Sequence, residues 1–586
     1  MKRRALFFFL IGIAWLRLGS QPLCAATFNV ANGDVVGLKS ALNTANINAE
    51  DDIILLAANG TFTLTARDNA LNGLPQIGPD GGHTLIIKGG GSTIQRSSVG
   101  GTPTFRIFYV NSGANLSLSG LILTNGNLVA HGGAIYNDAE TANATLTISG
   151  CTITGNSGDY GGAIYNDGYN AGANPSSGIL TITNSTISGN HATQYGGAIW
   201  NDGSFGSVVL NISNSTFSQN SANLDTGAIH HDAFTGSATG GITNCTFDQN
   251  SVGRNGGAVF IDGETGNAML SINSCTFSQN SAVASGGGVY VSTGTAGGIA
   301  TLQLRNNIFK TGANGANLVN NNGTITSQGH NLSNDAAGGD GLPGPGGFLN
   351  QAGDLRNTDP LLNPSGLQNN GGPTPTVALL SNSPAIDAGD PAAPARDQRY
   401  YLRNGLSDIG AFESGGTLAP VVATSGKTHG VAGTFGIDLG IGGNAGVECR
   451  SGGANGDHQL MMAFATPVTA AGAAVTSGTG SVTSFSISGS GATVNLTGVT
   501  NAQRLVVTLS NVSDGSHTNN ATIQMGFLLG DTNGNGTVNA SDISQSKGQS
   551  GQPVATSNFR SDANVTGDIN ASDVSLVKAA SGSALP

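Results

Sequence analysis

Charge is scarce in this chain. Only 10% of its 586 residues are Asp, Glu, Lys or Arg, and 22 thinly scattered Lys and Arg face 34 Asp and Glu. With a net charge of -12 and no basic stripe, nucleic acid is excluded as an expected partner. Aromatics are few, at 5%, so aromatic platforms for sugars are sparse. Long apolar runs are missing beyond the N-terminus, so no transmembrane segment is expected after it. The one early run, Ala5 to Leu16 behind Lys2-Arg3-Arg4, is too short to span a bilayer. It reads as a signal peptide over 1–26, with Cys24-Ala25-Ala26 offering small residues for cleavage. Gln21 stands where a lipoprotein box needs Leu, which argues against lipidation. Helix signals are also few, whereas Gly, at 92 residues, is abundant and turns are dense. The length alone implies three or more domains.

What is present is repetition. Between Leu121 and Phe309 two signatures alternate at a period near 30 residues. One is a strand and turn such as Leu180-Thr181-Ile182-Thr183-Asn184-Ser185-Thr186-Ile187, and the other is Gly196-Gly197-Ala198-Ile199-Trp200-Asn201-Asp202. Asn156, Asn190, Asn220, Asn250 and Asn280 fall in register. Gly pairs follow at 132–133, 161–162, 196–197, 256–257 and 287–288, and one unit has Thr226-Gly227 instead. Strands alternate with a period of two, as in Leu146, Ile148 and Leu270, Ile272. A unit this short cannot bury its own apolar face, but stacked copies can. The expected fold is mainly β, a parallel β-helix with coils about 4.8 Å apart. Its Asn column would be an amide ladder at a tight corner.

The Phe-x-x-Asn motif (Phe217 to Asn220, Phe247 to Asn250, Phe277 to Asn280) and the Gly-Gly-Ala-Ile/Val motif resemble the repeats of chlamydial-type polymorphic outer-membrane proteins. They also resemble the right-handed β-helix of the pectate-lyase-like superfamily. The resemblance covers roughly 120–310 and bears on fold more than on function. The polymorphic proteins end in a membrane β-barrel, and the C-terminal stretch here is of another kind.

Three columns invite a chemical reading. Cys245 and Cys275 occupy one coil position, filled by Ser185 and Ser215 elsewhere. They are either a disulfide between coils of an exported protein or small residues of a core column. Asp138, Asp167, Asp202, Asp232 and Asp262 also share a register. Carboxylates about 5 Å apart repel by roughly 3 kcal/mol at an effective dielectric of 20. These side chains should therefore splay into water and cap turns, or be bridged by cations. Tyr136, Tyr165, Trp200 and Phe260 form the third column, as core or as sugar platform, and His230-His231 interrupts the pattern as a local substitution.

Outside the repeats, residues 27–340 begin with a cap. Asp34 is a candidate N-cap for an amphipathic helix to Asn46, with strands at Ile53 to Leu56 and Thr61 to Thr65. In 341–416, Ser383-Pro384-Ala385-Ile386-Asp387-Ala388-Gly389, Asp397-Gln398-Arg399 and Asp408-Ile409-Gly410-Ala411-Phe412-Glu413 resemble the choice-of-anchor segment that closes bacterial β-helices. Residues 417–527 carry short alternating runs at roughly ten-residue spacing, a small antiparallel β-sandwich.

The clearest chemical signal lies in 528–586. Asp531, Asn533, Asn535, Thr537, Asn539 and Asp542 hold positions 1, 3, 5, 7, 9 and 12 of a twelve-residue Ca²⁺ loop, with Gly536 at position 6. Asp562, Asn564, Thr566, Asp568, Asn570 and Asp573 repeat it 31 residues later, around Gly567. Calcium takes six to eight oxygens, and loops with so few carboxylates suit a weak extracellular affinity of about 10⁻⁴–10⁻³ M. Both loops run into Asp-[Ile/Val]-Ser-x-x-Lys. The pair resembles a type I dockerin, an α-helical module with two EF-hand-like calcium loops that docks onto a cohesin domain. The resemblance places docking selectivity at Ala540-Ser541 and Ala571-Ser572, identical in both repeats and so open to two orientations. Thr566 departs from the usual Asp or Asn. The expectation is a secreted or cell-surface protein for adhesion, display or assembly, with a cohesin-domain partner and a polysaccharide or cell-surface ligand. The alternative is a polysaccharide lyase or glycoside hydrolase on the β-helix. A cleft where Asp, His and Arg converge would favour that enzyme, and smooth polar ladders the structural role.

Overall fold

A strand repeated every 30 residues buries its apolar face only against its own copies, and the chain does this for about ten turns of a parallel β-solenoid. The structure is a computed structural model, and it describes residues 25–169, 176–294, 297–441 and 446–586. The expected leader, 1–26, lies outside these except for Ala25 and Ala26.

The Gly-Gly-Ala-Ile strands stack as one eight-stranded parallel sheet, from Phe108–Val110 through Ile199–Asp202 and Ile229–Asp232 to Leu318–Asn321. Its register is strict: Ile164, Ile199, Ile229 and Val259 lie in one row. A second face stacks Ala144–Ser149, Ser177–Thr183, Ser207–Ser213, Ser237–Thr243 and Asn267–Asn273. A third carries Thr186–Ser188, Thr216–Ser218 and Thr246–Asp248. Inward residues form columns. Phe217, Phe247, Phe277 and Phe309 are fully buried and stack with ring centroids 4.7–5.0 Å apart. The end cap forms as expected. Helix α1 (Val35–Ala45) starts on Asp34, whose carboxylate accepts from Gly37 N at 2.7 Å, and buries Leu38, Ala41, Leu42 and Ala45 over the first coils.

The Asn column is a continuous ladder. Each amide nitrogen donates to the next carboxamide oxygen, at 3.0 Å from Asn156 to Asn190 and 2.9 Å for the three following steps to Asn280. The backbone N–H of each donates to the same oxygen. A second ladder, Asn137 to Asn166 to Asn201, runs under the first sheet at 2.7 and 2.6 Å. His231 continues it: its Nδ1 lies 3.0 Å from Asn201 Nδ2 and its Nε2 lies 3.2 Å from the Met269 carbonyl.

One open alternative is decided and two expectations need correction. Cys245 and Cys275 are buried free thiols, as are Cys151 and Cys449, so the core-column alternative holds. Cys245 N donates to Cys275 Sγ at 3.4 Å, the role Ser215 Oγ plays for Ser185 N at 3.2 Å. The last Gly pair is displaced by one: Gly286, with φ +69°, aligns with Gly256, and Gly288 stands where other coils have Ala. The Asp column caps turns but does not splay into water. Asp138, Asp167, Asp202 and Asp232 are buried. Asp138, Asp167 and Asp202 each accept the backbone N–H two residues on. A Tyr hydroxyl from the preceding coil donates to the same three: Tyr109 to Asp138, Tyr136 to Asp167 at 2.5 Å, and Tyr165 to Asp202. Aromatic hydroxyls interleaved with the carboxylates replace the cations or water that a charged column would otherwise need. Burial, above all, pushes Asp167 up to about 7. The aromatic column is mostly core, with Tyr165, Trp200 and Phe260 buried.

The 341–416 segment first closes the end of the solenoid, with Leu355 pairing on Leu332 and Leu349 buried in the solenoid core, and then runs back along its flank. Gln398 bridges two coils, donating to Thr216 Oγ1 at 2.8 Å and accepting from Thr246 Oγ1 at 2.6 Å. Gly410 N donates to Asn306 O at 2.9 Å. Buried pairs Arg399–Asp397 (2.6 Å) and Arg403–Glu413 (3.1 Å) hold the segment together. Beyond it, a five-stranded sheet (Thr434–Asp438, Val422–Thr428, His458–Ala463, Gly491–Thr497, Ser481–Ser488) packs on a four-stranded one (Val447–Glu448, Thr518–Phe527, Gln503–Ser513, Gly472–Ser477) around one apolar core. The C-terminal module adds α2 (Ala540–Gln549) and α3 (Ala571–Ala579).

Candidate metal centre

Each C-terminal helix begins at an Asn that the loop before it delivers. Asn539 caps α2 and Asn570 caps α3, with backbone angles that agree to within a degree (φ -144°, ψ -166° and -167°). Each cap oxygen accepts from the Ser N–H two residues on at 2.8 Å, and each cap N–H donates to the Asp three residues on at 2.9 Å. The helices thus fix Asp542 and Asp573 by a reciprocal capping box.

The loops fold back so that position 1 meets position 12. Asp531 takes Gly534 N (3.0 Å) and Asn535 N (3.1 Å) on one oxygen and Gly536 N (2.8 Å) on the other. Asp562 takes Thr566 N (3.1 Å) and Gly567 N (2.8 Å) in the same way. Asp542 and Asp573 accept from Asn533 N and Asn564 N at 3.2 and 3.1 Å. Asn533 and Asn564 reach across to Ser541 and Ser572 at 2.8 and 2.7 Å. Positions 5, 7 and 9 lie on the rim: Asn535, Thr537, Asn539, Thr566, Asp568 and Asn570 are exposed. The Asn535 oxygen accepts from Thr537 N at 2.9 Å, and Thr566 Oγ1 donates to Asn564 at 2.8 Å.

These residues fit a hard cation. Asp531, Asp542, Asp562 and Asp573 are all 0% exposed, two carboxylates per loop. Burial raises the pKa of Asp531, offset in part by backbone donors, and Asp542 raises it further. Burial raises Asp573 likewise, with Asp562 adding to it. Arg560 offsets Asp531 only in part, and among the described residues no Lys or Arg side chain forms a salt bridge with any of the four, so a divalent ion would supply the missing positive charge. Among the described residues no group of three or more His, Cys, Asp or Glu forms a metal cluster. Each loop buries only two carboxylates, and its remaining oxygens come from Asn, Thr, backbone and, in the second loop, the exposed Asp568.

The loops are not equal. Val565 holds φ +57° at position 4, a left-handed angle unfavourable to a β-branched residue, where loop one has Gly534 at +76°. Asp562 also receives His429 Nδ1 at 2.8 Å, with both side chains fully buried. Arg450, paired with Glu448 at 2.8 Å, stands 3.0 Å behind His429. Phe435 of the sandwich stacks on Phe559 at 5.3 Å. Sequence reading missed His429, which lies 133 residues from Asp562 with no motif to mark it. Ala540-Ser541 and Ala571-Ser572 are exposed at both helix starts, so neither is covered by the sandwich.

Comparison with protein families matches residues 529–580 to the dockerin type I domain. Residues 184–202, 244–262 and 274–292 match the repeat of the Chlamydia polymorphic membrane protein. Neither a curated protein nor a solved structure matches the chain. No helix among the described residues is long and apolar enough to cross a membrane.

Proposed function

We propose that this is an extracellular or cell-surface β-solenoid protein that docks, through its dockerin-like module and in the presence of calcium, onto a cohesin-domain partner. Asp531, Asn533, Asn535, Thr537, Asn539 and Asp542 would hold one ion, and Asp562, Asn564, Thr566, Asp568, Asn570 and Asp573 a second. The observation that carries the reading is the repeated loop geometry: two pairs of buried carboxylates without a Lys or Arg salt bridge among the described residues, each leading into a helix that presents an exposed Ala-Ser pair. The ion supplies positive charge where each loop's carboxylates converge. The chain supplies the backbone donors that orient those carboxylates and the capping boxes that seat the helices. The solenoid would serve as the displayed surface, in keeping with its polymorphic-membrane-protein repeats.

The carbohydrate-active alternative draws on a cleft of about 380 Å³ on the solenoid, where Asp225, Asp232, His230 and Arg254 converge. Its basic groups are engaged. Arg254 pairs with Asp225 at 2.7 Å, and His230 Nδ1 lies 2.8 Å from Thr226 Oγ1, with burial and then His231 pushing its pKa down to about 3. Committed bases favour binding over cleavage by a lyase or hydrolase. The test of docking is capture of the full chain by immobilised type I cohesin domains in calcium. Docking predicts release by EDTA. It also predicts retention when Ser541→Asp or Ser572→Asp is made alone and loss when both are made. Capture that ignores EDTA and the double variant contradicts it.

A further inference from the structure

Strict ladders make any irregularity stand out, and here two of the three change character in one coil while the Asn156–Asn280 ladder runs through it unbroken. The Tyr-to-Asp hydroxyl ladder serves Asp138, Asp167 and Asp202 in turn. The next step would run from residue 200 to Asp232, but residue 200 is Trp. Its indole makes no such bond. Among the described residues Trp200 Nε1 and Asp232 Oδ1 are both buried with no hydrogen-bond partner, although their residues are only 9% and 8% exposed. In the same coil His231 replaces Asn in the inner ladder, and Thr226 holds φ +69° where other coils have Gly. Three departures within one coil and its neighbour accompany a donor and an acceptor left unmet in residues that line one cleft.

Both unmet groups line the cleft of about 380 Å³ noted above. It touches five successive strands of the first sheet, from Trp200 to Asn321, and so runs about 19 Å along the axis at about 4.8 Å per coil. Its wall is the aromatic column Trp200, His230, Phe260 and Tyr290, with ring centroids 4.8–4.9 Å apart. Arg254 is neutralised by Asp225, which leaves Asp232, Asp262 and Glu264 as acidic groups with no basic partner in the cleft, Asp232 and Asp262 with pKa values raised first of all by burial.

We infer that this cleft binds a neutral, linear saccharide, one of whose hydroxyls donates to Asp232 and accepts from Trp200 Nε1. A hydroxyl meets both unmet groups at once, whereas an ammonium brings donors alone and leaves the indole N–H unmet. With Arg254 already paired and only acidic groups left over, the cleft offers a uronate no counter-charge and sets Glu264 against it, so acidic polysaccharides are refused. The aromatic wall and the length of the cleft suit a chain of sugar rings lying along the axis. Burial, with Glu264 next, pushes Asp262 up to about 7, so it too can donate to or accept from a hydroxyl near neutrality. This reading is independent of docking, because the cleft lies on the solenoid and not on the C-terminal module.

The test is calorimetric titration of the full chain, in EDTA so that no cation bridges ligand to carboxylate. The probes are linear hexasaccharides of β-linked glucose, mannose and xylose, with hexagalacturonate as the anionic counterpart. At least one neutral hexasaccharide should saturate with Kd at or below about 1 mM. Asp232→Ala and Trp200→Phe should each weaken it about tenfold, the scale of one lost buried hydrogen bond. Asp167→Asn, in the regular coils, should leave it unchanged. Trp200→Tyr separates a ligand site from mere irregularity, because it completes the ladder to Asp232. It should raise Tm by roughly 1–2 °C and abolish binding. The inference is overturned if no neutral hexasaccharide binds, if hexagalacturonate binds more tightly than all of them, or if Trp200→Tyr changes neither Tm nor affinity.

Discussion

The solenoid and the C-terminal module are both built from repeats of about 30 residues, yet their polar groups end differently. In the solenoid, Asn190, Asn220 and Asn250 each hand a hydrogen bond to the next coil, and the column closes on protein atoms. In the module, Asp531 and Asp542 accept backbone N–H groups on both their oxygens, yet the two carboxylates converge with no Lys or Arg side chain in a salt bridge to either among the described residues. The first kind of repeat is closed by its own amides, and the second brings paired carboxylates together without a basic partner. Repetition alone therefore says little about whether a protein needs a ligand; what decides is whether its buried charges meet opposite charges within the fold.

Calcium removal should divide the molecule most sharply. Chelation is expected to melt α2 and α3, seen as lost helical dichroism, while the β signal of the solenoid persists to the same temperature as before. Phe247→Ala should act in the opposite sense. It opens a gap between Phe217 and Phe277 and should destabilise the solenoid by about 3–5 kcal/mol in denaturant melts, with calcium binding intact. Asn220→Ala should cost about 3 kcal/mol, because it strands the Ile187 carbonyl and both Asn190 donors.

The smallest effect concerns His231 and shows only with pH. Burial holds its folded pKa down to about 4, below the ordinary 6.5. Its neutral form fits, with Nδ1 accepting from Asn201 and Nε2 donating to Met269 O. Above 6.5 folded and unfolded chains are both neutral there, and its contribution is complete. As pH falls from about 6.5 to 4 the unfolded chain takes a proton that the fold refuses, and stability declines. His231→Asn should leave stability at pH 7 within about 1 kcal/mol and flatten the acid limb of the Tm profile.

Much of this was legible in the sequence, because a strict period makes neighbours in space out of residues 30 apart. The Asn ladder, the Phe column, the α1 cap and the paired loops all follow from spacing. What escaped was the filling between columns. The Asp column looked untenable because carboxylates were weighed against each other, while the hydroxyls that settle it belong to Tyr109, Tyr136 and Tyr165 one coil away. The interruption at His230-His231 read as a local substitution, and only the coordinates reveal that it sits beside two unmet polar atoms. The return of 374–416 along the flank and the contact of His429 with Asp562 escaped for a related reason. Neither has a period, and non-periodic long-range contacts leave no trace in spacing.

The central claim is that the two loops are calcium sites. It is tested most directly by calorimetric titration of the full chain with calcium, beside Asp531→Ala, Asp562→Ala and the double variant. Two sites are predicted near about 10⁻⁴–10⁻³ M, the tighter one lost with Asp531→Ala and both lost in the double variant. The second loop should be the weaker, with Val565 in a left-handed conformation and Asp562 shared with His429. No saturable heat up to several millimolar calcium, or heat unchanged in the double variant, would contradict the account.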